Sequence, residues 1–217
     1  MITTTLFRAC ALSWAKNTSM LTIRVPIRMS RFTTAVAASS SAKAGHTSPR
    51  VGVGVILLRH LVENNNPEVL LIRRGKAPSM GLWSFCGGSL ELGESLVDCA
   101  IREAREETGL VLRHKKDIAP TTSLFYRNLE HPAVFSAVDV IDREPSEGKN
   151  SGAIRFHYAV VEVAAVPENY RAVPVAADDA DEVQWVDVTA IKTMDQLVVN
   201  AVAVVEEALT RFEIPRE

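Results

Sequence analysis

The first strongly apolar region of the chain has the pattern of two buried β-strands joined by a turn. Residues 51–58 and 68–73 are rich in Val, Ile and Leu, and a polar segment with Asn and Pro at 64–67 separates them. Short apolar runs bounded by turn residues are typical of strands covered on both faces. The pattern therefore predicts a hairpin.

Shorter apolar runs beyond this hairpin predict further strands. One is expected at 83–85, directly before Gly87 and Gly88, where we expect the chain to turn because no side chain is in the way. The remaining predicted strands lie at 121–126, 134–141, 154–163 and 183–188.

Helical spacing occurs in two places. Ser95 and Asp98 resemble a capping box and Gly109 suits a C-terminal stop, so a helix is predicted between them. Its predicted inward stripe comprises Val97, Ala100, Ile101 and Ala104. A second helix is predicted near the C-terminus, with Thr193 and Gln196 at its cap. Its apolar positions are Leu197, Ala201, Val204, Val205, Ala208 and Phe212. Strands interleaved with two helices predict an α/β sandwich whose mixed sheet is covered on both faces.

The N-terminal 48 residues differ in composition from the rest. No Asp or Glu precedes Glu63, whereas the first fifty residues contain seven Lys and Arg among many Ser, Thr and Ala. A basic, hydroxyl-rich and acid-poor segment is typical of an organelle transit peptide. We predict a disordered transit peptide and linker over 1–48, mitochondrial in preference to plastid, before one domain over 49–217. The alternatives are an unstructured tail on a cytoplasmic protein, or a true start at Met20 or Met29.

Charge and cysteine usage narrow the class of protein. The formal net charge is -2, so no global field would attract a nucleic acid polymer or a membrane surface. Cys10, Cys86 and Cys99 form no C-x-x-C pair, which argues against a disulfide framework and a zinc knuckle. No apolar run approaches the roughly 20 residues of a membrane-spanning helix. A small anionic ligand fits this composition better, and a homodimer is left open.

The informative segment for chemistry is the first helix. Glu103, Glu106 and Glu107 stand at i, i+3 and i+4, so we expect their carboxylates to project from one side, with the opposite face apolar enough to dock on the sheet. Like charges at this spacing repel by a few tenths of a kcal/mol per pair, and a hard cation such as Mg²⁺ would offset this. Alone, such a run is more often a solvated helix face.

The flanking residues change that interpretation. From Gly88 to Leu110 the sequence resembles the Nudix box, G-x5-E-x7-R-E-U-x-E-E-x-G-U, in which U is a bulky aliphatic residue. The likeness extends through VLLIRRG upstream and loosely to Trp185 downstream. Ala104 stands where an aliphatic residue is expected, and Cys86 where proline often precedes the glycines. Neither departure removes a carboxylate.

The resemblance implies a Nudix-type α/β/α sandwich with a mixed central sheet, and a Mg²⁺ or Mn²⁺ cofactor. By it, Glu103, Glu106 and Glu107 would be the ligands together with the Gly88 carbonyl oxygen. Arg102 would orient the glutamates, and Glu94 would support the site as a further carboxylate. The general base varies in this family. The candidates outside the box are Glu168, Asp178, Asp179, Asp181 and Glu182.

Substrate contacts are less sharply indicated. Arg73 and Arg74 are candidates for phosphate contacts, with a solvated strand end as the alternative, and Tyr126 is a candidate for stacking, although strand aromatics usually pack. Asp178 and Asp179 open an acidic segment that leads to a tryptophan. That segment either binds a base or ribose, or is an acidic loop before a core strand.

The resemblance implies hydrolysis of a diphosphate linkage in a small nucleotide-like substrate. ADP-ribose is favoured, because HYAVVEV followed by DDADEVQWV resembles ADP-ribose hydrolysing members. A noncanonical or oxidised nucleoside triphosphate is the second choice. A Nudix-fold sensor that binds a nucleotide without cleaving it is the alternative of a different class, but such modules typically lose box glutamates and this chain retains them.

Overall fold

The computed structural model describes residues 48–61, 64, 66–114, 128–144 and 152–215. Residues 1–47 of the predicted transit peptide and the predicted strand at 121–126 lie outside this range. Within it, seven strands and two α-helices follow one another along the chain. They are β1 Arg50–Arg59, β2 Glu68–Arg74, β3 Trp83–Ser84, β4 Cys86–Ser89, α1 Leu96–Thr108, β5 Ala133–Arg143, β6 Ile154–Ala165, β7 Ala180–Asp187 and α2 Ala201–Arg211. None of the helices in this part of the chain has the length and hydropathy that crossing a membrane requires.

The strands form one mixed sheet in the order β3-β2-β1-β6-β5, to which β4 adds by pairing with β1 and β7 by pairing with β2. Strands β1 and β6 run parallel, with Gly54 opposite Glu162. The predicted hairpin is confirmed only near its turn, where Leu58 pairs with Val69. Farther from the turn, the same edge of β1 pairs with β4, and Gly54 lies opposite Gly87.

Alternation along β1 supplies both faces of the sheet with core residues. Val53 and Val55 pack on the α1 side, whereas Ile56 and Leu58 pack on the α2 side. Each such side chain stabilises the fold by roughly 1.5–3 kcal/mol when it is fully buried. The predicted α/β sandwich with a mixed sheet covered on both faces is therefore confirmed.

Local signals determine the ends of α1. The Ser95 hydroxyl oxygen accepts the backbone N–H of Asp98 at 3.1 Å, and Gly109 ends the helix in the left-handed conformation with φ 69°. Both predicted caps are confirmed. The Asp98 carboxylate accepts the Ser95 hydroxyl at 2.6 Å, so the capping box is completed between side chains. The buried stripe of the helix consists of Cys99, Ala100, Glu103, Ala104, Glu107 and Thr108.

Two local expectations are wrong. Gly87 and Gly88 lie within β4 rather than in a turn, and a Cβ on Gly87 would come within 2.1 Å of the Val53 carbonyl oxygen. Glycine is needed there because two strands approach closely. The second helix begins at Ala201 and not after Gln196, since Leu197 forms a bridge with Trp83 instead.

Candidate active site

Two of the three box glutamates belong to the buried stripe of α1. Glu103 is 8% exposed and Glu107 is 1% exposed, and both face β4. Glu107 Oε2 accepts the backbone N–H of Gly87 at 2.8 Å, and a Cβ on Gly88 would lie 2.2 Å from Glu103 Oε1. The expectation that the docking face lies opposite the glutamates is therefore wrong. Only Glu106 projects outward, with its side chain 49% exposed.

Arg102 is the hub of this acidic cluster. Its Nε donates to Glu94 at 2.8 Å, and Nη1 donates to Glu103 at 2.7 Å and to Glu106 at 3.1 Å. Its Nη2 donates to the second Glu94 oxygen at 3.0 Å. Because the guanidinium is planar and carries five N–H donors, it can serve several carboxylates at once. Arg102 thus orients three acids on one side of α1.

The carboxyl groups respond to these surroundings in opposite directions. Hydrogen bonding to Arg102 lowers the pKa of Glu94 to about 2. Burial raises the pKa of Glu103, although its bond to Arg102 acts against this. Burial also raises the pKa of Glu107 to about 7, and the Gly87 N–H opposes that shift only in part. The two inner carboxyl groups therefore lack the positive charge that would fully compensate their burial.

The oxygen atoms around Gly88 suit a hard divalent cation. Among the residues that the structure describes, no three His, Cys, Asp or Glu side chains are already grouped as a metal site, and Arg102 lies between Glu103 and Glu106. Three carboxylates nevertheless share this single guanidinium, and a fourth, Glu107, is close enough to Glu103 for their charges to interact. Carboxylate and carbonyl oxygens are the ligands that Mg²⁺ and Mn²⁺ prefer, so the donor set fits such a cation.

A cavity of about 500 Å³ opens beside this cluster, within the size range of small-molecule sites. Its lining includes Gly88, Glu103 and Glu106 on the α1 side. It also includes Ala201 and Val204 of α2 on the opposite side of the sheet. The cavity therefore extends from the box glutamates to the second face of the sheet.

Some of the other predicted substrate contacts line the cavity and some do not. Arg74 lines the cavity and donates to the Pro78 carbonyl oxygen at 2.9 Å. Arg73 is outside the lining and donates to Glu182 at 2.7 Å, as a side chain at a strand end would. Asp178 and Asp179 both line the cavity, where Lys76 pairs with each of them. Tyr126 lies outside the described residues.

The remaining residues that were singled out are structural. Trp185 packs below the guanidinium of Arg59, whose carbon lies 4.2 Å from the ring centroid, and it contacts the core on the α1 side. Cys86 and Cys99 are buried free thiols. Burial raises the pKa of Cys99 to about 12 and also raises that of Cys86, which makes both poor nucleophiles at neutral pH.

Sequence reasoning missed one cavity residue of unusual character. Glu162 lines the cavity, is only 4% exposed, and lies in the middle of the apolar strand β6. Its carboxyl group lies over Gly54 of β1. The available signal was a single acid in the run YAVVEVAAV, together with two glycines, Gly52 and Gly54, in the facing strand.

Comparison with known proteins identifies relatives of the domain. The NUDIX domain family matches residues 48–206. The NUDIX domain of NrtR from Shewanella oneidensis, solved with ADP ribose, superposes with a TM-score of 0.53 at 19% identity, covering 76% of this chain and 90% of that one. At this identity the likeness concerns the fold.

Curated relatives match over a shorter segment. The m7GpppN-mRNA hydrolase NUDT17 of Xenopus laevis is 45% identical over 65 residues, which are 29% of this chain and 21% of that protein. The ADP-ribose pyrophosphatase of Methanocaldococcus jannaschii is 38% identical over 55 residues, 25% of this chain and 32% of that protein. The chain thus spans only about a fifth to a third of the length of the curated relatives it matches.

Proposed function

The chain belongs to the Nudix family, and from that premise we propose that it hydrolyses a diphosphate linkage in a nucleoside diphosphate derivative, with ADP-ribose as the favoured substrate. The observation that carries this proposal is the position of Glu103 and Glu107 against the Gly87–Gly88 strand, beside a cavity of nucleotide size. Buried acids whose negative charge is only partly compensated would attract a divalent cation, and phosphate oxygens of a substrate would supply further ligands.

The box residues have separate roles in the proposed reaction. Glu103, Glu106, Glu107 and the Gly88 carbonyl oxygen would hold Mg²⁺ or Mn²⁺, which when bound neutralises charge on the phosphate oxygens and makes a water molecule a better nucleophile. Arg102 orients the carboxylates through its hydrogen bonds and is itself fixed by Glu94. No covalent bond to the protein is required.

The balance of the reaction is simple. The oxygen of water bonds to one phosphorus of the P–O–P link, the bond from that phosphorus to the bridging oxygen breaks, and the proton of the water passes to a basic group. A box glutamate is one candidate for this group, and Asp178 and Asp179, which line the cavity, are others. With ADP-ribose the products are AMP and ribose 5-phosphate.

Two similar proteins and the lining of the cavity support the choice of ADP-ribose. The archaeal relative is named an ADP-ribose pyrophosphatase, and the NrtR domain was solved with ADP ribose. Arg74 and the pair Asp178 and Asp179 line the cavity beside the box, where a cationic group would contact phosphate and acids would accept hydroxyl hydrogens. The frog relative acts on another phosphate-linked nucleotide, an mRNA cap, so the substrate must be tested directly.

A substrate panel tests the proposal. The full chain is incubated with ADP-ribose, NADH, coenzyme A, diadenosine polyphosphates and modified nucleoside triphosphates, each with Mg²⁺ or Mn²⁺ and each with a chelator. We expect the highest kcat/KM with ADP-ribose, and no turnover when the metal is chelated. A higher kcat/KM with an oxidised nucleoside triphosphate than with ADP-ribose would show that the triphosphate is the substrate. Tight binding of a nucleotide without turnover would show that the protein is a sensor and not an enzyme.

A further inference from the structure

The lining of the cavity includes a buried polar atom with no hydrogen-bond partner. Among the described residues, three buried side-chain atoms lack a hydrogen bond, and they belong to Arg155, Trp185 and Glu162. Of these residues only Glu162 lines the cavity, and its unpartnered atom is Oε2. A buried polar group without a hydrogen bond destabilises the fold, so such an atom in the lining of a cavity points to a ligand that would pair with it.

The nearest donor on the neighbouring strand is bonded elsewhere. Ser136 is paired with Glu162 in the sheet, yet its hydroxyl donates to Glu207 of α2 at 3.0 Å. Burial, together with the charge of Glu207, raises the pKa of the Glu162 carboxyl to about 7. The Glu162 carboxyl group is therefore buried at a cost in stability, and no described residue donates a hydrogen bond to its Oε2.

The walls around this carboxyl group suit a flat ring. Gly52 and Gly54 contribute no side chains of their own to the cavity, the Glu162 carboxyl group lies over Gly54, and Val138, Val160 and Val204 supply apolar surface to the lining. A Cβ on Gly54 would lie 2.2 Å from Glu162 Oε2, so the carboxyl group occupies the space that this glycine leaves. We refer to this part of the cavity as the slot; apolar surface beside one unpartnered acceptor fits a heterocyclic base better than a hydrated sugar.

The slot is connected to the proposed reaction centre through neighbouring strands. Gly54 lies opposite Gly87 on one side and opposite Glu162 on the other. Adjacent strands are about 4.8 Å apart, so Gly87, which donates to Glu107, is roughly 10 Å from the strand position of Glu162. One cavity includes both ends, and a ligand whose phosphate lies at the box can extend its base into the slot.

We propose that this slot binds the base of the nucleotide and that Glu162 accepts a hydrogen bond from the exocyclic amino group of that base. The inference rests on the proposed function for the position of the phosphates. It makes Glu162 a specificity-determining residue, since a base without the amino group leaves Oε2 unpartnered. The discrimination comes from contact with the base and leaves the chemistry at the diphosphate unchanged.

Binding of paired ligands tests the proposal. Dissociation constants with Mg²⁺ present are compared for AMP and purine riboside 5′-monophosphate, which lacks only the amino group. We call the quotient of these two dissociation constants the amino-group ratio, and we expect the wild-type chain to bind AMP about tenfold more tightly, which corresponds to about 1.4 kcal/mol for one buried hydrogen bond. Glu162→Val should reduce this ratio to about one. Glu162→Gln, which keeps an acceptor oxygen, should retain most of it.

Three controls separate binding from folding. Glu206→Gln removes an acid of α2 that pairs with Lys192 outside the cavity, and it should leave the ratio unchanged. Gly54→Ala should lower the ratio, because the added methyl displaces the carboxyl group without removing it. The thermal midpoint of Glu162→Val should equal or exceed that of wild type, whereas a purely structural glutamate would make it fall.

The outcomes distinguish this inference from the proposed function. If Glu162→Val keeps the amino-group ratio while ADP-ribose is hydrolysed, the inference is overturned and the function stands. If the ratio depends on Glu162 but no ADP-ribose is cleaved, the function is overturned and the inference stands. A third outcome is that Glu162→Val keeps the amino-group ratio but no longer discriminates between AMP and 2′-deoxyadenosine 5′-monophosphate. That result would show that Glu162 contacts the sugar, and it would refute the proposal.

Discussion

Glu107 and Glu162 are buried carboxyl groups on opposite faces of the same sheet, and they are held in different ways. Burial raises the pKa of each to about 7. Glu107 accepts the Gly87 N–H and lies in an acidic cluster organised by Arg102, whereas Glu162 Oε2 has no hydrogen-bond partner. Equal burial therefore does not imply equal roles. The Glu107 carboxyl group is held by a hydrogen bond within the protein, whereas the proposed donor to Glu162 is a ligand.

The largest expected difference between the two is in turnover. Glu107→Gln should lower kcat on the order of 10³-fold, comparable to the loss of one preorganised polar group in other active sites. The fold should remain intact because the amide oxygen still accepts the Gly87 N–H. Steady-state kinetics and circular dichroism check both points. Glu162→Gln in the same assay should change kcat by less than about twofold, and similar losses in both variants would contradict the comparison.

The next effect concerns the pH dependence of stability. The pKa of Glu162 rises from 4.5 to about 7 on folding, so the folded state binds more protons between these pH values. Its contribution to the free energy of unfolding therefore falls as the pH rises through this window. The full penalty is up to about 3 kcal/mol at 1.4 kcal/mol per pKa unit. Glu162→Gln should match wild type near pH 4.5 and exceed it increasingly up to about pH 8.

Denaturant unfolding from pH 5 to pH 8 measures this difference. Glu107 is present in both proteins, so its own titration cancels. Glu206→Gln, which removes an acid of α2 outside the cavity, is the matched control, and a gain that grows with pH by the same amount in this variant would attribute the effect to lost acidic charge in general. A flat difference for Glu162→Gln would mean that its carboxyl group is solvated or paired.

A smaller effect is expected at Arg102. Arg102→Lys keeps the charge but replaces five donors in a plane by one ammonium group, which cannot serve Glu94, Glu103 and Glu106 together. We expect kcat/KM to fall about 10–100-fold and the Mg²⁺ requirement to rise, as for other residues that orient metal ligands. Metal titrations of activity measure both changes.

The amino-group ratio should be unaffected by Arg102→Lys, since Glu162 lies on the other face of the sheet. Arg105→Lys is the matched control, because Arg105 is an exposed arginine of the same helix. If Arg105→Lys lowered kcat/KM as much as Arg102→Lys does, the effect would arise from changing any arginine of α1 and not from the hydrogen bonds of Arg102.

The smallest effect is at the helix cap. Ser95→Ala removes the acceptor for the Asp98 N–H and should lower the free energy of unfolding by about 1 kcal/mol. Turnover should change by less than about twofold, since Glu103, Glu106 and Glu107 lie at least two turns farther along α1. Ser95→Thr should restore most of the stability. Thermal unfolding and kcat together show whether losses at the box arise from stability alone.

Elements with local signals were predictable from the sequence. Helix α1 is bounded by Ser95 and Gly109, whose capping roles depend on residues within one or two turns. The burial of Glu103 and Glu107 was available from the same arithmetic, because they share a stripe with Ala100 and Ala104. The expectation went wrong by placing the glutamates opposite the apolar stripe and not within it.

Elements that depend on distant partners were not predictable. The sequence near Gly87 suggests a turn, because the residue that requires glycine there, Val53, lies more than thirty positions earlier in the chain. Leu197 fits the apolar pattern of α2, yet it is used in a bridge to Trp83. The isolation of Glu162 becomes visible only when β1, β5 and α2 surround it, since a lone acid in a strand has no meaning without its neighbours.

If the slot binds the base as proposed, the residue at position 52 determines how large a ring it admits. A methyl group on Gly52 would meet Tyr158 and Val160 at 3.6 Å, which is ordinary contact distance, so alanine is accommodated there without moving the strand. The same methyl group on Gly54 would collide with Glu162. Under that proposal, Gly52→Ala would narrow the ring size that the slot admits by one methyl group without altering the catalytic helix.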